Sequence, residues 1–74
     1  MNENINIFKL EVGQEIKINV YGETIIAVFK MYREITVRTR TATFEIHTDK
    51  GMIYAGKNGE PVHYNDYSTN IISN

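Results

Sequence analysis

Glu15-Ile16-Lys17-Ile18-Asn19-Val20-Tyr21-Gly22-Glu23-Thr24-Ile25-Ile26-Ala27-Val28-Phe29 is the stretch that decides how this chain folds. Up to Val20 it alternates, with Ile16, Ile18 and Val20 on one side and Glu15, Lys17 and Asn19 on the other. A period of two marks a strand with one buried face. Tyr21-Gly22-Glu23-Thr24 interrupts it, and the glycine suits the first seat of a two-residue type II′ loop. That register sets Val20 opposite Ile25, Ile18 opposite Ala27 and Ile16 opposite Phe29. Every facing pair is apolar, so register and face agree on an antiparallel hairpin.

Working outward, strand-like segments recur about every ten residues, the rhythm of an all-β domain. Residues 24–32 are apolar on both faces. Residues 34–40 alternate again, with Ile35, Val37 and Thr39 opposed to Thr36, Arg38 and Arg40. A two-residue loop at Thr41-Ala42 then pairs Val37 with Ile46, Thr39 with Phe44, Arg38 with Glu45 and Thr36 with His47. Further strands are expected at residues 43–48, 52–56 and 60–64. Thr48-Asp49-Lys50-Gly51 fits a type I turn with a glycine bulge, and Asn58-Gly59 is a hairpin signal. On these registers His63 falls opposite Tyr54. Residues 5–12 read as an opening strand whose phase slips between Ile7 and Phe8, the sign of a bulge or bend. Residues 65–74 are a polar tail, either frayed or docked through Ile71-Ile72 as a last rung.

Composition agrees. Ile occurs eleven times against one Leu, and Val, Ile and Thr make 23 of the 74 residues. Branched side chains lose rotamer freedom in a helix and pack well on a pleated sheet. The expected architecture is one all-β domain over residues 1–74, an antiparallel meander of six to seven short strands. Curled on itself, it would form a small partly open barrel or half-barrel. The strand-turn rhythm is similar to that of SH3-like, Sm-like and OB barrels in general, with no family motif to match.

Several classes are set aside. The longest apolar run, residues 25–29, is far short of the roughly 18 residues that cross a membrane as a helix. Met1-Asn2-Glu3-Asn4 opens no basic-then-apolar leader, and cysteine is absent, so a cytoplasmic setting is expected. Only Ser68 and Ser73 could serve as serine nucleophiles, both in the polar tail; His63 and Asp66 nearby do not make a triad. A metal would draw on His47, His63, Asp49 and Asp66, but on these registers His63 lies on the Ile46 face and His47 on the other, so the histidines do not converge. No catalytic residue, metal or cofactor is therefore expected.

Two features point to binding. Lys30, Arg33, Arg38 and Arg40 gather half of the eight basic residues within eleven positions, in a chain of net charge −1. A three-residue loop register joining the strands at 24–32 and 34–40 would bring Lys30 to Thr36, Val28 to Arg38 and Ile26 to Arg40. His47 would extend that face and Tyr32 would stand at its margin. Arginine forks beside an aromatic ring suit a phosphate-bearing ligand with a base, either a nucleotide-type molecule or nucleic acid. Ile26 and Val28 share this outer face, which a lone sheet would keep polar, and such a patch marks an interface. A domain this small buries only about 60% of its unfolded surface, so a homo-oligomer is expected. The alternative is an interaction module, a small inhibitor or assembly subunit, that meets a partner protein through the apolar patch or an edge strand. Abundant Ile, Asn, Lys and Tyr, with their A/T-rich codons, would suit an accessory protein of a low-GC bacterium or its virus.

Overall fold

The computed structural model describes residues 5–35, 43–64 and 67–73, with backbone alone at 63, 64 and 67. It is mostly antiparallel β-sheet. The strands are β1 (Glu15–Val20), β2 (Glu23–Ile35), β3 (Thr43–Thr48), β4 (Gly51–Ala55), β5 (Val62–Tyr64) and β6 (Tyr67–Ser73). They lie in the order β4-β3-β2-β1-β6-β5.

The first hairpin forms, two residues off its expected register. Val20 faces Glu23, Ile18 faces Ile25 and Ile16 faces Ala27. The loop is Tyr21-Gly22, with φ of 52° and 93°. Two positive φ values make a type I′ turn, whose twist matches the flanking strands, so the glycine takes the second seat. A slide of two preserves side-chain parity. Ile16, Ile18 and Ala27 are accordingly buried, with Ile25 packed against them.

The expected turn between residues 32 and 34 does not form. β2 runs unbroken for 13 residues and pairs with both β1 and β3. A register shift between Phe29 and Met31 reconciles the two ladders. Before this bulge Ala27 and Phe29 face the core; beyond it Tyr32 and Glu34 stand opposite Ile46 and Phe44. One inserted residue switches the inward face, so Tyr32 falls on the side of Phe29, whereas Ile26 and Val28, before the bulge, stay on the outer face. Asp49 stabilises this region: Val28 N–H donates to its Oδ1 at 2.8 Å, and Asp49 N–H donates to Val28 C=O at 3.1 Å.

The meander also breaks after β4. The β3–β4 turn falls at Asp49-Lys50, with Gly51 at φ 123°. Asn58-Gly59 does not form a hairpin: the loop closes on itself through Gly56 N–H to Glu60 C=O at 2.9 Å. β5 pairs with β6, so His63 faces Ser68, not Tyr54. The tail docks, because β6 pairs with β1 and buries Ile71. The opening segment is a 3-10 turn over Ile7–Lys9, not a strand, capped where Phe8 N–H donates to Asn6 Oδ1 at 2.9 Å. The phase slip is thus a helical turn that buries Ile5, Ile7 and Leu10.

Ile7, Ile16, Ile18 and Ile46 are fully buried, and Phe29, Phe44, Ile53, Ala55 and Ile71 join Ile5, Leu10 and Ala27 in the core around them. Each such large side chain stabilises the fold by about 1.5–3 kcal/mol through area removed from water. The curled sheet brings β4 up to β6, where Thr69 Oγ1 accepts from Tyr54 N–H and donates to Tyr54 C=O.

Candidate binding surfaces

The anticipated basic face is not assembled as expected. Lys30 is exposed within the bulge region of β2. Tyr32 faces Ile46, whereas His47 faces Met31, so Tyr32 and His47 point to opposite sides of the β2–β3 ladder. Arg38 and Arg40 lie outside the described residues. Because β2 continues past Tyr32, Lys30 has no turn to carry it back to Thr36. Arg33 and Met31 occupy the ladder positions facing Glu45 and His47 that were expected for Arg38 and Thr36. Ile26 is exposed and Val28 half-buried on the outer face. Ile26 borders a shallow depression shared with Glu15, Ile16, Lys17 and Ser73.

Two other clusters emerge. On the Phe44 side, Phe8, Tyr32 and Phe44 pack as an aromatic triple. Ring centroids are 5.4 Å apart for Phe8–Tyr32, 5.6 Å for Phe8–Phe44 and 6.0 Å for Tyr32–Phe44. Phe44 is buried beneath, while Phe8 and Tyr32 remain 48% and 37% exposed. The Lys57 amine stands 5.9 Å from the Phe8 ring centre, within cation–π range. Phe8 is therefore a surface residue beside the buried Ile7. Ile7 is inside, and the next residue of a tight turn points elsewhere.

On the opposite side, Glu45 joins two cationic or polar partners. Arg33 Nη2 lies 3.1 Å from Glu45 Oε1 and 3.2 Å from Oε2, and His47 Nε2 lies 3.1 Å from Oε1. The His47 and Arg33 hydrogen bonds hold the Glu45 carboxyl below its ordinary value. Only 12% of the Glu45 side chain is exposed, against 68% for Arg33. Among the described residues, no group of three or more His, Cys, Asp and Glu could hold a metal ion. No helix among them is long and apolar enough to cross a membrane.

Sequence reasoning missed Phe8, Lys57 and Arg33 in these roles. For Phe8 the signal was present in the phase slip. For Arg33 it was hidden behind a bulge that period-two counting reads as a turn. No protein-family model, curated protein or solved structure matches this chain.

Proposed function

We propose that this chain is a small non-enzymatic binding protein, oligomeric and cytoplasmic, that holds a nucleotide-type or nucleic-acid ligand. The observation that supports this is the Phe8–Tyr32 pair: two open rings on a buried Phe44, with the Lys57 amine over the Phe8 ring. A base can stack on an exposed ring while an ammonium meets its phosphate, and each stacked base contributes about 1–3 kcal/mol. The rigid base under the pair reduces the ordering cost of binding. In this reading the sheet serves as a partly open barrel, and the Tyr54–Thr69 contact between β4 and β6 supports it. Arg38 and Arg40, contributed by sequence between β2 and β3, would supply further anion contacts.

The test is a titration with oligodeoxythymidylate and with nucleoside monophosphates. The chain has no Trp, so Tyr fluorescence is the direct signal. Binding that weakens with salt and falls at least about fivefold in both Phe8→Ala and Tyr32→Ala supports the reading. Wild-type affinity in either variant, or no binding by the wild type, overturns it.

A second reading is favoured by Ile26, an isoleucine 55% exposed on the outer face, opposite Lys17 and in one depression with Glu15. There the protein would act as an interaction module that joins a second copy or a partner protein through Ile26 and Val28. Ile26→Asp would abolish a salt-insensitive association while leaving ligand titrations unchanged.

A further inference from the structure

We infer that Met31, His47 and Met52 form a binding site for a soft monovalent metal ion, Cu(I) or Ag(I). The chain has three methionines, and the two beyond Met1 stand beside the same histidine. Met31 on β2 and Met52 on β4 are the register partners of His47 on β3. The three side chains therefore form one row across three neighbouring strands, on one face of the sheet. Facing residues in such a ladder lie about 4.5–5.5 Å apart at Cα. Methionine, unbranched with three rotatable bonds, can bring its sulfur across the remaining gap. Both methionines are open to solvent, at 49% and 41% exposure, so neither is committed to the core.

The histidine is held ready for this role. Its Nε2 lies 3.1 Å from Glu45 Oε1, and the same carboxylate is fixed from β2 by Arg33. A carboxylate that accepts from Nε2–H sets the tautomer and leaves Nδ1 with its lone pair as the donor atom. Glu45 is largely buried, and a buried carboxylate needs such partners to remain charged. Two thioethers and one imidazole make a soft donor set. Thioethers select Cu(I), whereas carboxylates and water suit the hard cations. The ion enters and leaves in one oxidation state, so no electron acceptor is required.

Ag(I) is the redox-inert probe, added as nitrate in chloride-free buffer to the intact chain labelled at its methionine methyl groups. The expected result is one Ag(I) retained per chain in native mass spectrometry. The Met31 and Met52 methyl resonances should shift together while that of Met1 stays. Met31→Leu with Met52→Leu keeps side-chain volume, so the circular dichroism should be unchanged. The affinity of that double variant should fall more than about a hundredfold. Glu45→Gln, which only loosens the histidine, should cost about 10–100-fold. Wild-type affinity in the double leucine variant, a shift confined to Met1, or Zn(II) held as tightly as Ag(I) overturns the assignment. Absence of any retained Ag(I) overturns it as well. The methyl shifts are read on the wild-type chain, so the test stands even if a variant fails to fold.

Discussion

The hydroxyl of Thr69 on β6 bonds both backbone groups of Tyr54 on β4, accepting from its N–H at 3.1 Å and donating to its C=O at 2.5 Å. Thr69 is itself buried. A single side chain thus substitutes for a ladder between two strands that have no backbone pairing. Thr69→Val keeps the shape and removes both bonds. The expected loss is about 1–3 kcal/mol, the cost of leaving buried polar groups unmet. In a domain of this size that lowers Tm by roughly 4–8 °C per kcal/mol. Thr69→Ser should retain most of the stability. A valine variant that melts with the wild type would mean that water serves these groups equally well.

A glycine comparison tests the loop after β4. Gly59 has φ 76°, and a Cβ there would meet Ile71 O at 3.1 Å and Ile71 Cβ at 3.2 Å. Its own carbonyl accepts from Ile71 N–H at 3.1 Å, so the loop cannot swing away without losing a bond. Gly22 has φ 93° with open space around its missing Cβ. Gly22→Ala should therefore cost only the backbone strain, about 1–2 kcal/mol. Gly59→Ala should cost more, because strain and crowding act together. Urea denaturation of the pair gives the order directly, and the reverse order would refute the tight packing assigned to Gly59.

Asp49 offers a third test, at the bulge. Its Oδ1 accepts from Val28 N–H while its own N–H donates to Val28 C=O. Asp49→Ala removes the first bond and should destabilise by about 1 kcal/mol, with Asp49→Asn close to wild type. Amide hydrogen exchange at Val28 should accelerate in the alanine variant alone. Slow exchange there in Asp49→Ala would show that the bulge is held by other means.

How much of this was legible in the sequence follows from which rules are local. The β1–β2 hairpin could be read because Ile16 and Ile18 alternate beside a glycine turn, and both candidate registers keep the same inward face. Strand order could not be read this way. Nothing local at Lys57-Asn58-Gly59-Glu60 says that β5 will leave β4 and pair with β6, since that choice is made by the burial of Ile71 against the core. The bulge after Phe29 misled most. Period-two counting treats residues 32–34 as a change of strand, although an inserted residue explains the same pattern at lower cost in loops. The anticipated site inherited that error: Lys30 and Tyr32 are exposed and His47 is half-buried, but the face joining them depended on a turn that is absent.

The aromatic triple lets fold and binding be separated by two substitutions of the same kind. Phe44 is buried at the base of the cluster, and Phe8 is nearly half exposed above it, 5.6 Å away. Phe44→Ala opens a cavity in the core and should destabilise by about 3–5 kcal/mol, enough to threaten a domain of this size. Phe8→Ala removes a ring whose burial is only partial, together with one edge-to-face contact, and should cost about 1 kcal/mol. Circular dichroism melts should thus rank Phe44→Ala far below Phe8→Ala. The ligand titration should rank them by a different cause: Phe8→Ala loses affinity at a temperature where it remains fully folded. If Phe8→Ala unfolds as readily as Phe44→Ala, Phe8 is a structural plug whose exposure is incidental, and the stacking surface would have to rest on Tyr32 alone.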